Sequence, residues 1–235
     1  SDYLGTGWTS LPLAKENLIT IRHQLTMTTG LDDGVADSDC TDPACLTYKA
    51  DAGTRWAYHN APYTILDQVI EAATGQTFNA YFAAKIRNVI GMTGQWTPNG
   101  YNHVYVSNAR SMARYGLLLL NKGKWSNTAV LGDSAYFAQQ ISSSQNLNPS
   151  YGYLTWLNGK ASYMLPGLQT VFQGPLIPNG YSDLFMALGK NDQKIYVSPS
   201  KKLVVIRMGE SAGNIQLDLS SFDNELWGKI RQVIR

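Results

Sequence analysis

The hydropathy pattern changes period once along this chain, near Tyr151, and that change limits the fold more than any other feature. Before it the apolar residues recur at helical spacing. Leu66, Val69, Ile70 and Ala73 build one face of a helix that Pro62 can open and Gly75 can close. Thr20 is placed to cap a short helix reaching Met27, which Thr28-Thr29-Gly30 breaks, and a long polar loop follows as far as Trp56. Thr77 caps a helix with Phe78, Tyr81, Phe82, Ile86 and Val89 expected to face inward. Ser107 is expected to cap Ala109 to Leu120, and a further helix is expected from Asp133 to Ile141. After the change, Tyr151–Leu157 and Asp183–Leu188 carry the aromatic and branched residues of strands. Gln193–Val197 and Lys202–Arg207 flank Ser198-Pro199-Ser200-Lys201 as a hairpin, and Ser221 to Arg235 reads as an amphipathic terminal helix. The pattern predicts an α+β fold, with residues 1–150 mainly helical and residues 151–235 forming antiparallel strands and the last helix.

Composition narrows the function. The 235 residues carry a formal net charge of +2 without any block of Lys and Arg, so no basic stripe exists to follow a phosphate backbone, and nucleic acid is not an expected partner. No apolar run approaches the roughly 20 residues of a membrane-spanning helix. His23, His59 and His103 are dispersed, so neither a metal site nor a cofactor is expected. Cys40 and Cys45 flank Thr41-Asp42-Pro43-Ala44, which suits a small disulfide-closed loop in an oxidising compartment; two free thiols are the alternative reading. The opening Ser1-Asp2-Tyr3-Leu4 has no Met and no signal-peptide pattern, and is expected to continue from a longer product.

The stretch from Trp56 to Tyr63 is the strongest candidate for chemistry. Tyr58 and Asn60 sit immediately before the best-patterned helix, where packing behind them would hold a phenol and an amide in place for acid-base work. A Tyr-x-Asn triplet also arises by chance in a chain rich in both residues, so its neighbours must decide.

Those neighbours carry a resemblance. Leu25-Thr26-Met27-Thr28-Thr29-Gly30-Leu31, then Tyr58-His59-Asn60, then Tyr151-Gly152-Tyr153, then Gly189-Lys190-Asn191-Asp192-Gln193 running on to Pro199, resemble in order and spacing the serine β-lactamase and penicillin-binding-protein superfamily. The branch they are most similar to holds the class C-like esterases and 6-aminohexanoate-oligomer hydrolases. The resemblance implies a β-lactamase/transpeptidase-like fold and an acyl-enzyme mechanism on a small-molecule ester or amide. It makes Tyr58 the proton-relaying tyrosine and Asn60 the amide that holds a lysine and the substrate, with His59 turned away from the chemistry. Secretion or a periplasmic location follows from the same likeness and the paired cysteines.

Two departures shape the expected function. The family's Ser-x-x-Lys helix should lie upstream of Leu25, yet the single literal match in the chain is Ser198-Pro199-Ser200-Lys201, where a hairpin turn cannot place Ser and Lys on one helix face. The nucleophile is therefore expected from an amino-terminal segment outside this sequence, and this chain alone is expected to be inactive. The strand beside the active site, which in the family carries Lys-Thr-Gly or His-x-Gly, reads Ala187-Leu188-Gly189. The following Lys190 N–H could still serve an oxyanion hole, because that role needs backbone geometry and no side chain. Without a basic or hydroxyl side chain there, an esterase or amide hydrolase is expected in place of a true β-lactamase. The competing reading is a non-catalytic, ligand-binding or scaffolding relative of the same fold.

Overall fold

The computed structural model describes residues 2–212 and 221–234, so Ser1 and Arg235 lie outside it. The chain forms two compact units. The first comprises Ser1–Asn88, Gly94–Val106 and Pro166–Gln169; the second comprises Val89–Thr93, Ser107–Leu165 and Thr170–Arg235.

In the first unit, helices α1 (Leu13–Glu16), α2 (Ile21–Leu25), α3 (Asn60–Thr64), α4 (Leu66–Thr74) and α5 (Phe78–Phe82) precede an antiparallel hairpin of β1 (Gln95–Asn99) and β2 (Asn102–Val106). Thr20 caps α2 as expected, with a reciprocal addition: its hydroxyl accepts from the His23 N–H, while the His23 ring accepts from the Thr20 N–H. The helix predicted through Ile70 is real but broken at Ile65 into α3 and α4, and Gly75 closes it at a φ of 67°. Beyond α5 the chain widens into one turn of π geometry, Ala83–Arg87, so Ile90 is buried where Val89 was expected to be, and Val89 is exposed. Ile19, Leu31, Leu46, Ala61 and Ile65 form a core beneath the long polar loop. Glu16 is tied in by the Gly7 N–H, the Thr9 N–H and the Thr9 hydroxyl, at 2.7–2.9 Å. The β1–β2 hairpin falls within the stretch read as mainly helical. Its aromatic residues Trp96 and Tyr105 pack with Phe78 and Phe82 of α5.

In the second unit, α6 (Ala109–Leu120), a short hairpin of β3 (Lys124–Trp125) and β4 (Thr128–Ala129), and α7 (Ser134–Gln140) lead into the strands. β5 (Trp156–Leu157), β8 (Phe185–Gly189), β9 (Gln193–Ser198) and β10 (Leu203–Arg207) form one antiparallel sheet in the order β10-β9-β8-β5, with β6 (Ser162–Tyr163) and β7 (Phe172–Gln173) paired separately. Alternation along β9 sends Ile195 and Val197 toward Leu119 and Phe137. On the opposite face Tyr196 meets Trp227 of α8 (Ser221–Val233), ring to ring at 5.5 Å. Gly116 allows α6 to lie close on β10: a Cβ there would stand 2.5 Å from Val204 Cγ1.

Two expectations need correction here. Asn108, and not Ser107, caps α6: it is the extended residue immediately before Ala109 and accepts from the Ser111 N–H at 2.9 Å, while the Ser107 hydroxyl one residue earlier donates to the Thr93 carbonyl. Tyr151–Leu157 is mostly a reverse turn with only Trp156–Leu157 in a strand. Gly152 N–H bonds Thr155 O and Leu157 N–H bonds Ser150 O, so the aromatic residues fold back and Tyr151 packs edge-on against Trp156. Gly152 is required there, since a Cβ would sit 2.0 Å from the Gln140 carbonyl oxygen.

Candidate active site

Tyr58 and Asn60 belong to the first unit, at the point where the long loop becomes α3. The approach is pinned by backbone: Ala57 N–H bonds Met27 O at 3.0 Å, Ala61 N–H bonds Ser38 O at 3.2 Å, and the buried Gln24 amide donates to Pro62 O at 3.0 Å. Gln169, brought in from far along the chain, donates to Trp56 O at 3.1 Å. Tyr58 is half-buried, and its ring meets Tyr63 edge-on at 6.4 Å. Asn60 opens α3, and its Nδ2 donates to Asp39 Oδ1 at 2.6 Å.

Asp39 was not anticipated, and it decides how Asn60 can act. An ionised carboxylate only accepts, so it fixes the amide with Nδ2 toward Asp39 and leaves Oδ1 as an acceptor for a cationic or N–H group. Asp39 is itself held by the loop, its N–H bonded to Asp37 Oδ1, and it adjoins the disulfide between Cys40 and Cys45, whose Cα atoms are 5.9 Å apart. The one hint of this in the sequence was the position of Asp39 beside Cys40.

His59, between the two candidates, is 2% exposed, and neither ring nitrogen has a hydrogen-bond partner among the described residues. Burial holds its imidazole below the usual pKa, aided by the Arg55 guanidinium and opposed by the Asp33, Asp32 and Asp39 carboxylates. It is a neutral core residue.

Gly189 and Lys190 belong to the second unit, at the end of β8. Gly189 pairs with Gln193 of β9, and a Cβ on it would lie 3.2 Å from the Gln193 carbonyl oxygen, so the close approach favours glycine. Lys190 is exposed and begins a three-residue reversal, Lys190–Asp192, that returns the chain into β9. The literal Ser-x-x-Lys is no nucleophile pair: Ser198 is buried with its hydroxyl on Asp183 at 3.1 Å, while Lys201 lies in the turn with its ammonium 5.1 Å from the Tyr181 ring. Among the described residues there is no group of three or more His, Cys, Asp or Glu side chains able to hold a metal, and no helix is long and apolar enough to cross a membrane.

A family model described as Beta-lactamase matches residues 2–221, nearly the whole chain. The chain belongs to the beta-lactamase family. Its solved structural neighbours agree with that fold. A protein described as a 6-aminohexanoate-dimer hydrolase, from Bacillus anthracis, superposes with a TM-score of 0.65 at 17% identity, over 91% of this chain and 62% of its own length. A beta-lactamase from Mycobacterium bovis gives 0.60 at 17% identity over 92% and 72%. A penicillin binding protein from Bacillus halodurans gives 0.57 at 17% identity over 92% and 72%. The chain thus spans less than two thirds of the Bacillus anthracis protein. No curated protein sequence matched it. The beta-lactamase family is one of serine hydrolases, and the helices and antiparallel sheet described above are its fold.

Proposed function

We propose that this beta-lactamase-family chain is the larger part of a serine hydrolase of small esters or amides that works through an acyl-enzyme. Tyr58 relays the proton to the leaving group, Asn60 holds the activating lysine and contacts substrate, and the Lys190 N–H donates to the oxyanion. The serine and lysine come from an amino-terminal segment outside this sequence. A serine hydroxyl is a weak nucleophile until a neighbouring base takes its proton, and a lysine and a phenol of matched pKa can share that work without histidine.

The observation that carries this reading is the Asn60–Asp39 bond. It leaves Asn60 Oδ1 as the acceptor that a lysine ammonium needs, beside a half-buried Tyr58. Ala187-Leu188-Gly189 offers no basic or hydroxyl side chain for a substrate carboxylate, which favours esters and neutral amides over β-lactams. The disulfide supports export to the periplasm or secretion.

The test is made on the gene product extended upstream of Ser1. Incubated with short-chain acyl esters, it should release the alcohol and carry a transient acyl mass on one serine of the added segment, while the 235-residue chain alone does neither. A longer product that binds such esters without turnover or acyl mass would establish the ligand-binding reading instead.

A further inference from the structure

The reversal Lys190–Asp192 is held in a conformation its residues do not favour. Asn191 lies at φ 56° and ψ 35°, and Asp192 follows at φ 56°, so two successive residues with side chains occupy the left-handed region. Asn and Asp enter that region most readily among non-glycine residues, but as single residues, and a pair in succession persists only where the surroundings determine it.

The surroundings here do so from three directions. Arg207 of β10 donates through Nη1 to the Asn191 carbonyl at 3.0 Å and the Asp192 carbonyl at 3.2 Å, and through Nη2 to the Glu210 carbonyl, with its Cζ 5.4 Å from the centre of the Phe222 ring. Gln193 Nε2 donates to the Asn191 carbonyl at 2.9 Å and to Gly209 O, and its Oε1 accepts from Gly209 N–H at 3.1 Å. The Asp192 carboxylate accepts from Ala212 N–H at 2.8 Å and faces Lys194 Nζ at 3.3 Å, which also stands 3.5 Å from Asp223 in α8. Asp192, Lys194 and Asp223 are all about 1–2% exposed. Two glycines would have made the same turn without any of these contacts, and would have left it loose.

We propose that Arg207 is a positioning residue for catalysis: its guanidinium, anchored through Nη2 on the Glu210 carbonyl, clamps the left-handed Asn191–Asp192 turn through Nη1 and thereby fixes the backbone that carries the Lys190 N–H. The inference rests on the role given to that N–H above. A rigid donor aimed where charge develops stabilises the transition state without reorganising, whereas a mobile one stabilises it less and leaves substrate binding nearly unchanged. Arg207 spans two points at once, Nη1 on the Asn191 and Asp192 carbonyls and Nη2 on the Glu210 carbonyl, which a lysine ammonium, a point donor, cannot do together.

Two arms test this. In the 235-residue chain, Arg207→Gln should speed amide hydrogen exchange at Lys190 and Asn191 at least tenfold while leaving Ile195–Val197 unchanged, a readout that needs no catalysis. In the upstream-extended protein, Arg207→Gln and Arg207→Lys should each lower kcat on short esters at least tenfold with KM within about twofold. Adding Asn191→Gly to Arg207→Gln should restore part of kcat, because glycine takes the left-handed conformation unaided. Unchanged exchange at Lys190 would overturn the clamp, and faster exchange with full kcat would overturn its part in catalysis. Failure of the wild-type protein to turn over any ester strikes the proposed hydrolase function, and the exchange arm still decides the clamp.

Discussion

The two stretches assigned to the chemistry are built in opposite ways. Around Tyr58 and Asn60 the working groups are side chains, held by the start of α3 and by contacts reaching in from other parts of the chain: Ser38 and Asp39 of the disulfide loop, Met27, Gln24 and Gln169. Around Gly189 and Lys190 the working group is a backbone N–H, and what fixes the turn comes from β10, the segment after it and α8. A side chain can be aimed by one neighbour. A backbone donor can be aimed only by fixing dihedral angles, which takes several contacts at once.

The comparison predicts a graded set of effects. In the extended protein, Tyr58→Phe should lower kcat by about two to four powers of ten, as for loss of a general acid-base group, with KM little changed in steady-state assays on acyl esters. Near-full turnover would make Tyr58 a packing residue and remove the chemistry from the first stretch. Lys194→Met, by leaving Asp192 and Asp223 buried and facing each other, should destabilise the fold by about 3–5 kcal/mol in urea unfolding. A change below about 1 kcal/mol would show that the second stretch is not held by that network. Tyr196 belongs to the same network: its hydroxyl donates to Asp223 at 2.5 Å, and burial, with Asp223 beside it, raises its pKa far above the usual phenol range, so it stays a neutral donor.

Replacing Cys40 and Cys45 with Ser should cost about 2 kcal/mol, the value expected for so short a closed loop. A thiol assay on unreduced, denatured protein should find none, and after reduction two. The same replacement should loosen Asp39, and so test whether the disulfide loop is what orients the Asn60 amide.

The smallest effect is a pH dependence at His59. Burial lowers its folded pKa below the unfolded value of about 6.5, so the unfolded chain takes up a proton first as pH falls. The stabilisation is complete above about 6.5 and is lost as pH drops from there through the folded pKa. Thermal unfolding should therefore show a decline below about pH 6.5 that is absent in His59→Gln. An unchanged profile in that variant would mean that His59 does not titrate differently in the two states.

Most of the helical and strand pattern, the disulfide and the Tyr58–Asn60 helix start were legible in the sequence, because each is written in local spacing: a cap before an apolar face, a Pro inside the first turn, two cysteines across a short polar loop. The reverse turn at Tyr151 was misread as a strand because aromatic residues suit both, and the deciding contact is Gly152 against the Gln140 carbonyl. The β1–β2 hairpin was missed because its apolar face completes a cluster with Phe78 and Phe82, partners that periodicity within the hairpin does not reveal.

The sequence by itself determined that Gly189 is followed by a short polar turn before a strand, and that Tyr58 and Asn60 precede a helix. Only the tertiary structure decided that Asp39 orients the Asn60 amide and that Arg207 locks the Lys190–Asp192 turn. The reason is physical. Local propensity fixes which dihedral angles are easy, whereas an amide orientation or a pair of left-handed residues is selected by contacts between segments that only folding brings together.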